Sequence, residues 1–204
     1  MNDTRLIHLV DDDEAIRHSA SFMLRHAGFR VKTYPDGVAF LTQVAEAETG
    51  CVLLDVQMPG MDGLKVQESL NQRGVAMPVI VLTGHGDVEV AVRAMKAGAV
   101  DFVEKPYAKQ MLVDALTRAF EQLEARRQGD VLAAEARGRI ERLTDRERDV
   151  LVGLVAGHTN KIIAETLDIS PRTVEIHRAN LMEKLEAPSL STVLRIAFAA
   201  GFEG

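Results

Sequence analysis

The stretch that decides the fold is LIHLVDDDEAIR, residues 6–17. A short apolar run at residues 6–10 stops at four consecutive acids, Asp11, Asp12, Asp13 and Glu14. Carboxylates this close repel one another, and they stay ionised together only where a cation or hydrogen bonds compensate the charge. The cluster therefore needs a compensating cation or hydrogen bonds.

Outward from this stretch, the first 120 residues alternate strand-like and helix-like segments. The strand-like runs lie at residues 7–10, 29–34, 51–56, 79–84 and 101–106. Several of them are apolar throughout, which is typical of parallel strands covered on both faces. The segments between them have helical periodicity; the first runs over DEAIRHSASFMLRHAG, with Gly28 as its predicted stop. Five alternations predict a doubly wound α/β sandwich.

The rest of the chain is predicted to be helical. From about residue 110 it is rich in Ala, Glu and Arg, which predicts a last helix running into a linker, with Gly129 and Gly138 as weak points. From residue 143 four short helix-like segments follow, each opened by a Thr or Ser suited to an N-cap. Pro171 suits a first helical turn, and Gly157 and Gly201 suit helix ends. These features predict a second, all-α domain.

Composition excludes several classes of protein. The 204 residues carry a formal net charge of −6, so any nucleic-acid site must be a local arrangement of groups. Cys51 is the only cysteine, which excludes an intrachain disulfide and predicts a buried thiol. No apolar run approaches the roughly 20 residues of a membrane span, and the N-terminus lacks a signal segment. We therefore expect a cytoplasmic protein with no membrane partner.

Polar residues fall at the ends of four of the predicted strands. Asp11 and Asp12 follow the first strand, Asp55 ends the third, Thr83 the fourth and Lys105 the fifth. Ligands of open parallel sheets bind at this edge. Gathered carboxylates favour Mg2+, and with a hydroxyl and an ammonium they form a phosphoryl-transfer site. Asp55 would be the nucleophile, while Thr83 and Lys105 would contact the phosphoryl oxygens.

Capping of the following helix is the alternative role for the acids, and we assign it to Asp13 and Glu14.

The segments VDDDEAIR, LLDVQMPGMDG, VLTGHGD and AMKAGAVDFVEKPY resemble, in order and spacing, the receiver domain of two-component response regulators. The resemblance implies the strand order 2-1-3-4-5 and phosphorylation of Asp55 by a histidine kinase. It implies Mg2+ bound by Asp12, Asp55 and the backbone carbonyl of Gln57, with Asp11 acting partly through water. It also implies a switch pair, Thr83 and Phe102.

That switch predicts how phosphorylation is transmitted. Phosphate on Asp55 would draw Thr83 inward and let Phe102 turn in behind it. The surface of residues 87–104 would change, and we expect a dimer to form there, with Val90, Val92 and residues 94–100 nearby. Tyr107 is not at the switch position, and we expect it to pack beside the Lys-Pro turn.

The second domain shows a helix-turn-helix pattern. In TNKIIAETLDISPRTVEIHRANLMEKLEA a predicted buried stripe of Ile162, Ile163 and Leu167 is followed by a short turn through residues 168–171 and then a helix from about Arg172. Val174, Leu181 and Leu185 give this helix an apolar face, and its opposite face is polar. Such a layout is typical of DNA-binding modules, although a pair of core helices without a DNA role has the same pattern.

This region resembles the four-helix DNA-binding domain of the LuxR/NarL group, and the whole chain resembles NarL/FixJ-type regulators. Within that family, GHGDVEVAVRAMKAGAVDFVEKPY and SPRTVEIHRANLMEKL are most similar to the nitrogen-fixation regulators. The resemblance implies promoter DNA, a sensor histidine kinase, RNA polymerase and a second copy of the chain as partners. The predicted domains are a receiver at 1–121, a helical linker at 122–141 and a LuxR-type domain at 142–204.

We expect DNA contacts from both helices of the motif. The groove-facing side of the second helix would carry Glu175, Ile176 and Ala179, with His177 on the flank. Phosphate contacts would come from Asn160, Lys161, Arg172, Thr173, Arg178 and Lys184. Glu175 stands where relatives often carry Lys. Its carboxylate is repelled by phosphate but can accept a hydrogen bond from cytosine N4, so we expect it to select bases.

Three other functions are weaker interpretations. Asp11-Asp12-Asp13 mimics the start of haloacid-dehalogenase-type hydrolases, but Glu14 and Ala15 stand where that class needs a Thr or Ser. A nucleotide-binding oxidoreductase needs a glycine-rich turn after the first strand, and none follows here. A receiver joined to a protein-interaction module remains open. The sequence therefore predicts a regulator rather than an enzyme.

Overall fold

The computed structural model describes residues 5–84 and 88–202. Its first part contains a five-stranded sheet in which all neighbouring strands are parallel. The strands are β1 (Leu6–Val10), β2 (Arg30–Tyr34), β3 (Cys51–Asp55), β4 (Val79–Thr83) and β5 (Asp101–Glu104). Their order across the sheet is β2-β1-β3-β4-β5. The predicted doubly wound sheet and its strand order are confirmed.

Helices connect the strands and then form the rest of the chain. Those beside the sheet are α1 (Glu14–His26), α2 (Gly37–Gln43) with a short 3-10 turn (Val44–Glu46), α3 (Gly63–Gln72) and α4 (Val88–Lys96). A long helix, α5 (Lys109–Glu141), follows. The last four are α6 (Asp145–Val155), α7 (Asn160–Leu167), α8 (Pro171–Lys184) and α9 (Leu190–Ala199). The four short helices predicted from residue 143 are confirmed.

The sheet is covered on both faces. β1, β3 and β4 are buried at every position, as expected for strands without a solvent face. Alternate residues of these strands enter two separate apolar clusters, because successive side chains point to opposite faces. Cys51 lies in the second cluster and is fully buried, so the predicted core thiol is confirmed. Burial raises the pKa of that thiol.

The chain divides into two compact units, Met1–Glu124 and Ala125–Gly204. α5 contributes residues to both. It continues through Gly129 and Gly138, so the expected weak points do not end the helix. Each glycine costs about 1 kcal/mol relative to alanine, and the Ala-, Glu- and Arg-rich flanks offset that cost. Ile140 also ties the C-terminal part of α5 to the core of the second unit, and Ala136 is buried on the same helix.

The second unit owes its helix boundaries to local capping. Thr144, Thr159, Ser170 and Ser189 each cap the helix that follows by accepting a backbone N–H with the side-chain oxygen. The helices pack around a third apolar cluster that includes Val174, Leu181 and Leu185 of the second motif helix. The predicted apolar face of α8 is therefore confirmed. On α7, Ile163 and Leu167 pack in or against this cluster as predicted, whereas the expected burial of Ile162 is wrong because its side chain is exposed.

Within the ranges described above, no helix combines the length and apolar character needed to cross a membrane.

Candidate phosphoacceptor site and nucleic-acid interface

The polar strand ends meet at one edge of the sheet. β1 and β3 lie side by side with Val10 opposite Leu54, so Asp11 and Asp55 leave neighbouring strands at the same level. β4 lies next to β3, and Thr83 is its last residue. The backbone after β3 turns so tightly that Gly63 approaches the Asp55 carbonyl, leaving no room for a Cβ atom. This close turn keeps the loop after Asp55 against the sheet edge.

Lys105 supplies a positive charge next to the acidic cluster. Its Nζ lies 2.7 Å from Oδ2 of Asp11 and 3.0 Å from Oδ2 of Asp55. The lysine follows β5 and is 94 residues from Asp11 along the chain. The contact therefore depends on the strand order, which brings distant segments to one edge.

The charges of this pocket are mutually dependent. Burial raises the pKa of the Asp55 carboxyl, and Lys105 opposes that shift. Burial also acts to lower the pKa of Lys105, but its contacts with Asp11 and Asp55 outweigh burial and leave the pKa above its ordinary value. The lysine stays protonated, and its charge favours the ionised form of Asp55.

Three carboxylates form a group suited to a hard cation. One oxygen from each of Asp11, Asp12 and Asp55 lies within 4.8 Å of the others. The Asp11 carboxylate is engaged on both oxygens, by the Asp13 N–H at 2.9 Å and by Lys105. Asp12 is exposed and Asp55 nearly buried. An all-oxygen set with one freely accessible carboxylate fits the preferences of Mg2+.

The remaining acids have the capping role expected of them. Asp13 is the N-cap of α1 and accepts hydrogen bonds from the N–H groups of Ala15 and Ile16. Glu14 lies in the first turn, where a negative charge favours the helix dipole. The cluster therefore divides between Asp12 and Asp13. Asp11 and Asp12 belong to the carboxylate group, and Asp13 and Glu14 stabilise the start of α1.

The expected switch residues lie on neighbouring strands. Thr83 is buried, and its hydroxyl donates to the Gly84 carbonyl at 3.2 Å. Phe102 of β5 lies opposite Val81 of β4, and 44% of its surface is exposed. Residue 87, the first of the expected dimerisation segment, lies outside the described residues. Tyr107 is partly buried and packs against the second apolar cluster, as expected.

The second candidate surface is formed by α7 and α8. Asp168 adopts a left-handed backbone conformation after α7, and Ser170 caps α8 two residues later. The two helices and this short turn form a helix-turn-helix motif. On α8 the polar side is open to solvent at Arg172, Glu175, Ile176 and Ala179, and Lys161 is exposed on α7. Thr173, His177 and Asn160 are partly buried beside them.

Two hydrogen bonds organise this surface. Nη1 of Arg178 donates to Oδ1 of Asn160 at 2.6 Å, which ties α8 to the start of α7. Nη1 of Arg172 lies 3.2 Å from Oε2 of Glu175. Arginine carries five N–H donors, so Arg178 keeps donors for a phosphate while it holds Asn160.

Lys184 differs from the expected phosphate contact. Its Nζ lies 2.7 Å from Oε2 of Glu147, a nearly buried residue of α6. The same carboxylate accepts the Thr144 N–H in a capping box. Burial acts to raise the pKa of Glu147, but Lys184 and Thr144 outweigh it and lower the pKa. Because a buried carboxylate left without its cation is costly, we remove Lys184 from the set of DNA contacts.

Sequence reasoning missed two contacts. The first is the contact of the Glu147 carboxylate with Thr144 and Lys184. The spacing of Thr144 and Glu147 is that of a capping box, and it would have predicted the contact with Thr144. The partner Lys184 is 37 residues away and carried no signal of its own. The second is Arg17, which donates to the carbonyl of Asp11 at 2.8 Å.

Comparisons with known proteins identify the family of each part of the chain. Residues 7–117 match the response regulator receiver domain, and residues 141–197 match the luxR family of bacterial regulatory proteins. The transcriptional regulatory protein FixJ of Rhizobium meliloti strain 1021 is 47% identical over 96% of this chain and 96% of its own.

Two solved structures extend over the whole chain. Full-length FixJ from B. japonicum is 43% identical, with a TM-score of 0.61 and 98% of each chain covered. The response regulator StyR is 37% identical, with a TM-score of 0.78 over 96% of this chain and 98% of its own.

A receiver domain followed by a LuxR-type helix-turn-helix defines a DNA-binding response regulator. The chain belongs to that family, and it is similar over nearly its full length to the FixJ regulators.

Proposed function

We propose that this protein is a transcriptional regulator that is switched on by transfer of a phosphoryl group to Asp55. The observation that carries the proposal is the pairing of Lys105 with both Asp11 and Asp55 at the sheet edge. That geometry leaves one nearly buried carboxylate beside an ammonium and an exposed acid, Asp12. The proposed domains are a receiver at 1–121, a linker at 122–141 and a DNA-binding domain at 142–204.

The chemistry is an in-line transfer from a phosphohistidine of the sensor kinase. A carboxylate oxygen of Asp55 attacks phosphorus, and a P–O bond forms while the bond from phosphorus to the imidazole nitrogen breaks. The imidazole leaves with the electron pair and takes up a proton. Lys105 neutralises charge on the phosphoryl oxygens, and the Thr83 hydroxyl exchanges its bond to Gly84 for one of those oxygens.

Asp12, Asp55 and the Gln57 carbonyl are the proposed Mg2+ ligands. Asp11 would lie beside the ion and act partly through water, as the resemblance implies, while its carboxylate oxygens accept hydrogen bonds from the Asp13 N–H and Lys105. When bound, Mg2+ supplies positive charge that offsets the phosphoryl group and the neighbouring carboxylates.

Transmission to DNA follows from the exposure of Phe102. When Thr83 is drawn toward the phosphoryl group, Phe102 leaves solvent and turns in behind it. The surface around α4 and β5 then changes, and a second copy of the chain binds there. Phosphorylation shifts an equilibrium between two existing states, so some DNA binding persists without phosphate.

The proposed DNA contacts use the α7–α8 surface. Arg172, Thr173, Arg178, Asn160 and Lys161 meet the phosphate backbone, while Glu175, Ile176 and Ala179 face the groove, with His177 on the flank. A DNA-bound dimer would then act on RNA polymerase. The resemblance to nitrogen-fixation regulators makes a promoter of that kind the first DNA to test.

Substitution Asp55→Asn tests the phosphoacceptor. We expect complete loss of labelling by acetyl phosphate or a kinase, because the amide is a poor nucleophile, while the fold is retained. Asp62→Asn is the matched control, because Asp62 caps α3 a few residues away and is not part of the carboxylate group. Full labelling of Asp55→Asn, measured by intact mass, would contradict the assignment.

A DNA titration distinguishes this function from a receiver that carries a protein-interaction module. We expect binding whose affinity falls as salt rises, since phosphate contacts release counterions, and tighter binding with the phosphodonor present. Absence of DNA binding at any salt concentration, with and without phosphodonor, would favour the protein-interaction module.

A further inference from the structure

Arg17 connects α1 to the loop that carries the site acids. It lies in the first turns of the helix, half-buried, and its Nη1 donates to the backbone carbonyl of Asp11 at 2.8 Å. Its own N–H donates to the carbonyl of Asp13 at 2.9 Å. The side chain therefore holds the start of the Asp11–Asp13 loop, while the backbone bond at its end is the first hydrogen bond of the helix.

Every other polar group of Asp11 is also held by the protein. Its N–H donates to the Tyr34 carbonyl at 3.3 Å, and its carboxylate accepts from the Asp13 N–H and from Lys105. Asp12, by contrast, is exposed. Its position next to Asp55 depends on the loop backbone rather than on hydrogen bonds that bury its side chain.

We propose that Arg17 is a positioning residue for the Mg2+ site. Its guanidinium fixes the Asp11 carbonyl, and through it the loop, so that the Asp12 carboxylate stays within ligating distance of Asp55. The proposal rests on the proposed function, because it assigns a role at the same site. Outer-shell groups of this kind orient the residues that touch a metal.

A simple charge effect makes the opposite prediction. Arg17 is a cation near three carboxylates, so removing its charge alone would strengthen the attraction of the site for Mg2+. Removing its hold on the loop would weaken Mg2+ binding, because the ligands would then have to be ordered at the moment of binding. The sign of the change in Mg2+ affinity therefore distinguishes the two roles.

The variants are Arg17→Met, which keeps an apolar stem without donors, and Arg17→Lys, which keeps the charge and a single donor group. Arg25→Met is the matched control. Arg25 lies in the last turn of the same helix and also donates to a strand carbonyl, Val31, at 3.0 Å. Calorimetric titration with MgCl2 in the absence of phosphodonor measures affinity without relying on activity.

We expect Arg17→Met to raise the Mg2+ dissociation constant about tenfold, the lower end of what loss of an outer-shell partner costs. Arg17→Lys should lie between Arg17→Met and the wild type, and Arg25→Met should match the wild type. If Arg17→Met does not fold, Arg17→Lys decides the question, because a charge effect alone predicts wild-type affinity for it. Unchanged or tighter Mg2+ binding by Arg17→Met would overturn the proposal. If Arg17→Met does not fold, wild-type Mg2+ affinity of Arg17→Lys would overturn it.

Phosphorylation kinetics provide a second readout. With acetyl phosphate, the Mg2+ concentration for half-maximal labelling should rise in Arg17→Met, while the rate at saturating Mg2+ stays near the wild-type rate. A loss confined to the saturated rate would contradict positioning of the metal site. Failure of the wild type to be labelled on Asp55 would instead overturn the proposed function, so the two failures are distinguishable.

Discussion

The two candidate functional surfaces of this protein are built in different ways. The carboxylate site gathers residues from separate strands, with Lys105 meeting Asp11 across 94 residues of chain. The proposed DNA surface comes almost entirely from one helix and the start of its neighbour. Strand order dictates which residues meet at a sheet edge, so the topology of the sheet is enough to bring the residues of the carboxylate site together. A helix face leaves open which of its charges stay free, and that is where Lys184 departed from expectation.

The sharpest test of the first surface is the boundary between Asp12 and Asp13. We expect Asp12→Ala to weaken Mg2+ binding about 100-fold, since a direct ligand should count for at least as much as an outer-shell partner. Asp13→Ala should leave Mg2+ affinity close to the wild-type value and cost about 1 kcal/mol of stability, because it removes an N-cap. Calorimetric Mg2+ titration of both variants measures this difference. Equal losses would mean that the cluster acts only through the helix.

Lys184 tests whether the second surface is limited by internal ion pairs. Lys184→Met leaves the nearly buried Glu147 carboxylate without its cation, and we expect the free energy of unfolding to fall by about 2 kcal/mol. The expected signature is faster amide hydrogen exchange in α8. A variant as stable as the wild type but with weaker DNA binding would restore Lys184 to the phosphate contacts.

The same pair predicts a dependence of stability on pH. The pKa of Glu147 is lowered in the folded protein, so its contribution is complete above the ordinary glutamate value of about 4.3 and is lost as pH falls through the lower folded value. The free energy of unfolding of the second unit should therefore decline as pH falls below about 4.3. The decline should be shallower in Lys184→Met, because the pKa of Glu147 is lowered less without Lys184. Parallel pH profiles of hydrogen exchange in the two proteins would contradict this coupling.

Glu175 and Arg178 separate base selection from affinity on α8. We expect Glu175→Ala to relax the choice of base at one position of each half-site by roughly 1–3 kcal/mol, with little loss of non-specific affinity. Arg178→Met should weaken binding to every sequence and reduce the slope of log affinity against log salt by about 0.9 for one phosphate.

Binding to a randomised half-site at several salt concentrations measures both effects. Unchanged base preference in Glu175→Ala would mean that its carboxylate points away from the groove and that α8 is rotated from the proposed face.

Local sequence signals determined much of what the structure contains. Strand-like runs, several of them apolar throughout, located all five strands, and the Thr or Ser before each short helix located four helix starts, because strand patterns and capping depend on residues close together in sequence. The resemblance supplied the strand order. Together they brought Asp11, Asp55 and Lys105 to one edge, and the contacts between them agree.

Only the tertiary structure decided which polar groups are already engaged. The pairing of Lys184 with Glu147, the hold of Arg17 on the Asp11 carbonyl and the continuity of α5 through two glycines depend on packing and on the positions of whole elements. Side-chain periodicity places a residue on a face of a helix. Whether its charge is free or paired depends on which distant residue the fold brings within about 3 Å, and no local pattern carries that information.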